Sequence, residues 1–379
     1  MLENHNVAQE TGFQAAPGCT LREILQQPTL WPLTAANVCS AAKRFQLPDE
    51  LGKNRVLLTG AGTSAYAASA VAAAWSRAVA VPTTDLLIDT ERYLLEVGAV
   101  VSLARSGDSP ESAAVVQRIR ALQPKILQLA ILCNENGALS RSELDELIVL
   151  DPRTNDQSLV MTGSFSNLVL AGLAMAQSDA VDAAVNDFSK SAAKLLPTID
   201  AVCRRASTSV RDRIVILSSS PLLGWAREAG LKVLEMTAGR FPVIIETYLG
   251  LRHGPMSFVR PDTLVLCLLS SDPDRRLYEV DLLHELRSKK IGRLIGIADP
   301  AETKDLKDLF DEIIPAVAPL EDDALRTPYE ILGPQLLGYY LSLRSGLNPD
   351  SPSPDGVINR VVQGVKLHGA PFVPISSRH

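Results

Sequence analysis

Residues 55–71 read RVLLTGAGTSAYAASAV, an apolar strand running through Gly60-Ala61-Gly62-Thr63-Ser64 into an Ala-rich helical segment. Taken alone this satisfies G-x-G-x-x-G/A between strand and helix, the pattern of a dinucleotide-binding loop. A second stretch, RIVILSSSPLLGWAREAG at 213–230, aligns with it. So do VVSLARSGDSPESAAVVQRIRAL (100–122) with LVLCLLSSDPDRRLYEVDLLHELR (264–287), and QLAILCN (128–134) with RLIGIAD (293–299). The offset is about 158 residues for the first pair and about 165 for the others, a drift that one small insertion explains. Duplication of a five-stranded unit is the economical account, and a dinucleotide fold has no need of it.

The remaining runs follow the same plan. Strands are expected at 55–58, 85–88, 99–104, 127–132 and 146–150, then at 213–217, 241–245, 263–269, 293–298 and 312–316. Continuous apolar strands separated by helix-length segments indicate an α/β fold with parallel sheets covered on both faces. Residues 1–50 form a mostly helical lead-in, the first unit with its linking helix (amphipathic around 180–205) spans 51–205, and the second spans 206–346. The Pro-rich NPDSPSPDG at 348–356 cannot be a regular element, so 347–379 is expected as an extended tail.

The chain has 379 residues, 46% hydrophobic and 21% charged, with a net charge of −6. These values exclude a disordered chain and give no basic surface for nucleic acid. No membrane span or leader is visible, and the five scattered cysteines have no metal-ligand spacing. A cytoplasmic protein with buried reduced thiols is expected.

Ligands of open parallel sheets bind beyond the carboxyl ends of the strands, which selects the loops 59–64, 105–112, 151–165, 218–224 and 246–257. Gly60 and Gly62 allow close backbone approach, and Thr63 and Ser64 put hydroxyls at a helix N-terminus, where anions are favoured. The same turn can simply pack strand against helix, and Asp89 further on suits a dinucleotide ribose. In ARSGDSPES (104–112), Ser106, Ser109 and Ser112 crowd a strand end, and Ser109-Pro110 reads as an N-cap with Pro at the first helical position. A cap needs one hydroxyl, and this loop has several. Two such helix starts on neighbouring strands would converge on one phosphate. In REAGLKVLEMTAG (227–239), Glu228, Lys232 and Glu235 form one helical stripe, either a solvated face with an ion pair or a functional set. His253, between Arg252 and Gly254-Pro255, is held in a loop.

GAGTS (60–64), ARSGDSPES, LKVLE (231–235) and LRHGP (251–255), in this order in a duplicated chain, resemble the sugar isomerase (SIS) domains that bind phosphosugars. AREAGLKVLE, LGLRHGP and NRVVQGV (359–365) make the chain most similar, within that superfamily, to the AgaS-type deaminase/isomerases. The resemblance implies two tandem SIS domains of flavodoxin-like, doubly wound form. It implies deaminating isomerisation of an amino-sugar phosphate, D-galactosamine 6-phosphate to D-tagatose 6-phosphate and ammonia, with no metal or other cofactor. By carry-over from the isomerase half of glucosamine-6-phosphate synthase, Ser64, Ser106 and Ser109 inherit phosphate contacts, with Gly62, Thr63, Arg105 and Thr162 beside them. Glu235 becomes the base, Lys232 its partner, and His253 the ring-opening residue contributed across a homodimer or higher homo-oligomer. Two departures stand out. Ala104 replaces the first serine of the second loop, and Val362 falls where the synthase has its terminal lysine. With no glutaminase domain expected in the short lead-in, ammonia is expected as product.

Three rival functions remain at this point. A phosphosugar aldose/ketose isomerase shares every step before ammonia loss, a non-catalytic phosphosugar sensor needs only the loops, and a nicotinamide dehydrogenase would rest on Gly60, Gly62 and Asp89.

Overall fold

The computed structural model describes residues 18–45, 54–299, 301, 303–362 and 364–368. The rest of the expected lead-in and tail lies outside the described residues. Among the described residues, ten strands form two sheets. The first contains β1 (Arg55–Thr59), β2 (Ala78–Ala80), β3 (Val97–Ala104), β4 (Leu127–Leu132) and β5 (Glu146–Val149). The second contains β6 (Ile214–Leu217), β7 (Val243–Glu246), β8 (Leu264–Leu268), β9 (Arg293–Ala298) and β10 (Glu312–Pro315). Their orders are β2-β1-β3-β4-β5 and β10-β9-β8-β6-β7, so each sheet, read from its own second strand, runs second, first, third, fourth, fifth. All pairings are parallel. This is the flavodoxin-like doubly wound order, whose switch point lies between the first and third strands.

One expected strand is a helix. Residues 85–88 belong to the helix Thr83–Ile88, and the edge strand is the three-residue β2. A short apolar run does not separate strand from helix by periodicity. Here Pro82 stands at the N-cap and only Thr83 and Leu86 are buried, a helical spacing. Asp89 consequently sits exposed at the end of that helix, not at a strand end where a ribose would be met.

The main helices are α1 (Cys19–Leu25), α2 (Gln27–Phe45), α3 (Thr63–Ala74), α4 (Pro110–Leu122), α5 (Gly163–Ala176), α6 (Ser178–Ser209), α7 (Leu223–Met236), α8 (Pro273–Ser288) and α9 (Leu332–Arg344). A single buried cluster runs from Val56 and Leu58 of β1 through α3 and α5 to Ile214 and Ile216 of β6, Trp225 of α7 and Leu336 of α9. The two sheets therefore share the core between them, while their outer faces hold separate clusters around Val100 and Ile119 and around Val265 and Leu283. At the centre α3 meets α7, each the first helix of its half. A Cβ on Gly224 would lie 2.7 Å from the Ala70 backbone nitrogen, so only glycine admits this approach. Among the described residues, no helix is long and apolar enough to cross a membrane.

Candidate active site

The close approach of α3 and α7 brings the Glu228/Lys232/Glu235 stripe against the first half. Lys232 Nζ lies 2.7 Å from Glu235 Oε2 and 3.2 Å from Glu228 Oε1. It also donates to Thr63 Oγ1 at 3.1 Å and to the Met161 carbonyl at 3.0 Å. Thr63 Oγ1 in turn donates to Glu228 Oε1 at 3.3 Å. The Lys232 and Glu228 side chains are 0% exposed and that of Glu235 is 25% exposed. The solvated-face reading of the stripe is overturned: it is buried, and only its last carboxylate reaches the surface.

One ammonium facing two carboxylates decides the charge state. Burial alone would lower the Lys232 pKa, but Glu228 and Glu235 win and raise it. Burial is the largest effect on Glu228, pushing its carboxyl up to about 8 against the opposing pull of Lys232. Glu228 Oε2 has no hydrogen-bond partner among the described residues. The arrangement favours a charged lysine, one surface-facing carboxylate and a buried carboxyl that holds its proton near neutrality. Glu228 shared the stripe in the sequence but was not among the candidate site residues; its burial, which periodicity does not report, is what makes it part of the set.

The loop residues of the first half stand at the carboxyl ends of β1 and β3. Gly62 has φ +56°, and a Cβ there would meet nothing within 4 Å, so the turn faces open space. Ser64, in the first turn of α3, is buried, and its hydroxyl has no hydrogen-bond partner among the described residues. Ser106 Oγ accepts from the Asp108 amide at 3.2 Å, which leaves its own proton free. Ser109 occupies the N-cap of α4, yet its side chain makes no cap hydrogen bond. Hydroxyls without protein acceptors at two adjacent helix starts suit an anion.

Three other residues are placed differently. The Thr63 hydroxyl belongs to the lysine cluster. Thr162 is fully buried at the start of α5, its hydroxyl toward Asp156 Oδ1 at 3.5 Å and its amide on Oδ2 at 2.8 Å, so it serves the helix start. Arg105 is buried too. Its guanidinium donates to the carbonyls of Leu159 (3.2 Å) and Ser158 (3.5 Å) and to that of Arg360 in the tail. Burial, and then the Arg360 charge, lower its pKa. Arg105 is thus a strut between loop and tail.

His253 follows the short helix Tyr248–Leu251 and is exposed. Its imidazole has no hydrogen-bond partner among the described residues, whereas its neighbour Arg252 is fixed by Glu285 (2.6 Å) and Asp281 (2.8 Å) of α8. The loop is anchored through Arg252, and the histidine beside it is exposed.

No family model matches the chain. An Escherichia coli protein named D-galactosamine-6-phosphate deaminase AgaS is 34% identical over 388 residues, which is 97% of this chain and 99% of that protein. A Shewanella sp. (strain ANA-3) protein of the same name is 35% identical over 371 residues, 93% of this chain and 92% of its own. This chain belongs to the AgaS family. A solved structure titled tagatose-6-phosphate ketose/aldose isomerase from Escherichia coli superposes with a TM-score of 0.82 at 31% identity, covering 93% of this chain and 97% of that one. The architecture is accordingly that of the sugar isomerase (SIS) proteins.

In this AgaS-family chain the second half handles the corresponding loops otherwise. At the end of β6, Ser219 Oγ donates to Glu279 Oε1 at 2.6 Å. At the end of β8, the Ser270 amide donates to Glu279 Oε2 at 2.8 Å, and the Ser271 amide to Asp323 Oδ1 at 2.8 Å. The Ser270 hydroxyl is bonded to Asp323 as well. An open cleft of about 740 Å³ adjoins these residues, lined by Asp272, Arg275, Glu321, Asp322 and Asp323, and its acidic wall does not suit a phosphate.

Proposed function

We propose that the chain converts an amino-sugar phosphate, D-galactosamine 6-phosphate in the first instance, to D-tagatose 6-phosphate and ammonia in the cytoplasm. The observation that carries this is the partly exposed carboxylate of Glu235 fixed 2.7 Å from a fully buried ammonium. A base held beside a permanent positive charge is what proton transfer at a carbon next to a carbonyl requires. The names carried by the relatives supply the substrate class.

Ser64, Ser106 and Ser109 hold the phosphate, with the backbone at Gly62 open to it. Thr63 orients the lysine. His253 of a second copy opens the ring; its exposure, together with exposed Leu234, Ile245 and Leu249 on the adjoining elements, supports a homodimer. Glu235 then removes the proton at carbon 2, Lys232 stabilises the negative charge developing on the carbonyl oxygen, and Glu235 returns the proton to carbon 1. The imine left at carbon 2 adds one water and releases ammonia, so the net reaction is hydrolytic. The equal strand orders and aligned motifs support a duplicated unit, with domains at 51–205 and 206–346.

The name of the Escherichia coli structure favours a second reading, aldose/ketose isomerisation without ammonia loss. A coupled ammonia assay over a panel of hexosamine 6-phosphates separates the two. Ammonia from galactosamine 6-phosphate is expected; interconversion of tagatose and galactose 6-phosphates with no ammonia from any amino sugar overturns the deaminase reading.

A further inference from the structure

The segment Asp156–Met161 touches both cations of the site through its main chain. Its Ser158 and Leu159 carbonyls hold Arg105, and its Met161 carbonyl accepts from Lys232 at 3.0 Å. Carbonyls can aim at two cations only if the segment is itself fixed. The tail contributes: the Leu159 amide donates to the Asp350 carbonyl at 3.0 Å, and Arg360 donates to the Asp156 carbonyl and to Asn155 Oδ1 at 2.8 Å. The central grip comes from the N-terminal helix. Glu23 of α1, 2% exposed, accepts from the Gln157 amide at 2.6 Å, from the Ser158 amide at 3.3 Å and from the Ser158 hydroxyl.

We propose that Glu23 is a positioning residue for the reaction, its carboxylate setting the main chain of 156–161 and, through that chain, the Lys232 ammonium and the Arg105 guanidinium. The proposal rests on the reading of Lys232 and Glu235 as the proton-transfer pair. Nothing in the sequence pattern marks Glu23, which lies in a lead-in far from every loop motif. Its three acceptor contacts converge on two consecutive residues, both amides on Oε1 and the Ser158 hydroxyl on Oε2; a proton on Oε2 ends the acceptor role there and leaves the Ser158 hydroxyl to the Val160 carbonyl at 3.1 Å.

Asp156 is the charged group that acts on it; the elements packed around it also carry the Asp151–Arg153 pair after β5, Arg105 in the β3 loop, Asp350 and Arg360 in the tail, and Arg22 on its own helix. Asp156 is fully buried and spends its oxygens on the amides of Thr162, Gly163 and Ser164 at the start of α5. Burial and then the Asp156 charge push the Glu23 carboxyl up to about 7. More of the Glu23 carboxyl is therefore ionised at pH 8 than at pH 6.

The test is Glu23→Gln in the full chain, with ammonia release from galactosamine 6-phosphate measured from pH 6 to 9. A main-chain shift well under 1 Å at a catalytic group is worth roughly tenfold in rate. The expected result is a kcat about tenfold lower than that of the native chain at pH 8, KM changed less, and a native-to-variant ratio that contracts toward one at pH 6. Loss of packing alone would give a ratio independent of pH; that result, or an unchanged kcat at pH 8, overturns the proposal. Should Glu23→Gln fail to fold, Ser158→Ala, which removes one of the three contacts, is expected to give a smaller ratio with the same pH shape, and a flat ratio there is equally decisive. A native chain that releases no ammonia from any amino sugar would instead overturn the deaminase reading, a result read without any variant.

Discussion

In the first half, the hydroxyls of Ser64, Ser106 and Ser109 at the ends of β1 and β3 stand without carboxylate acceptors; in the second, Ser219, Ser270 and Ser271 at the ends of β6 and β8 are bonded to Glu279 and Asp323. Both halves have the same strand order, so both present helix starts at the same place. One half leaves that place without carboxylates and the other fills it with its own. The second half contributes differently, through α7, whose lysine crosses to Thr63 of the first. Two halves of equal strand order thus contribute non-equivalent parts: open loops from one and a helix from the other.

The strongest challenge to this division is Glu235→Gln. If α7 supplies the base and the loops of the other half hold the phosphate, turnover falls by about 10²–10⁴-fold while substrate still binds. Ammonia release and calorimetric binding read the two quantities separately, and near-normal turnover would remove Glu235 from the mechanism. Next in size is Lys232→Met. It leaves Glu228 and Glu235 without their shared cation, and removing one partner of a buried ion pair costs about 3–5 kcal/mol. A urea midpoint close to that of the native chain would show that the cluster is not the bolt between the halves that its geometry describes.

A paired experiment sharpens the contrast between the loops. Ser106→Ala is expected to raise KM for the sugar phosphate about tenfold, the loss of one hydrogen bond of about 1.5 kcal/mol to a charged group, with stability little changed. Ser219→Ala, at the end of β6 in the second half, is expected to leave KM alone and to cost about 1–3 kcal/mol of stability, since it removes a hydrogen-bond donor from Glu279, which is fully buried. A KM effect from Ser219 would assign ligand binding to the second half as well.

Much of this was legible in the sequence, for identifiable reasons. Continuous apolar runs gave nine strands close to their positions, because parallel strands buried on both faces need unbroken apolar stretches. The exception, 85–88, lies beside an edge where the true strand has only three residues and Pro82 starts a helix. Motif loops placed Ser64, Ser106 and Ser109 at strand ends, since a strand-end loop is local in sequence. Partnership across the chain was not legible. Spacing showed that Glu228, Lys232 and Glu235 share a stripe but not that α3 covers it, nor that the terminal guanidinium nitrogens of Arg105 are held by carbonyls at 158, 159 and 360, or that Thr162 bonds to Asp156. Such contacts are set by tertiary packing, and Glu23 is the extreme case.

The smallest expected effect concerns pH, and it asks whether the buried carboxyl of the α7 cluster holds its proton. The Glu228 pKa is raised from an ordinary 4.5 to about 8 by burial. A group that binds its proton more tightly in the folded chain stabilises the fold fully below its unfolded value, and that stabilisation is lost as pH rises through the folded value. Stability should therefore decline between about pH 4.5 and 8, the window set by those two values. Glu23, raised to about 7, contributes in the same direction. The Glu228→Gln variant removes one contribution and keeps the other, so its stability measured by urea denaturation should decline less steeply across this window than that of the native chain. Parallel curves would mean that Glu228 is ionised throughout, with Lys232 neutralising it rather than Glu235. The carboxylate at the surface would then lack its fixed positive partner, and the division of labour within α7 would have to be reversed.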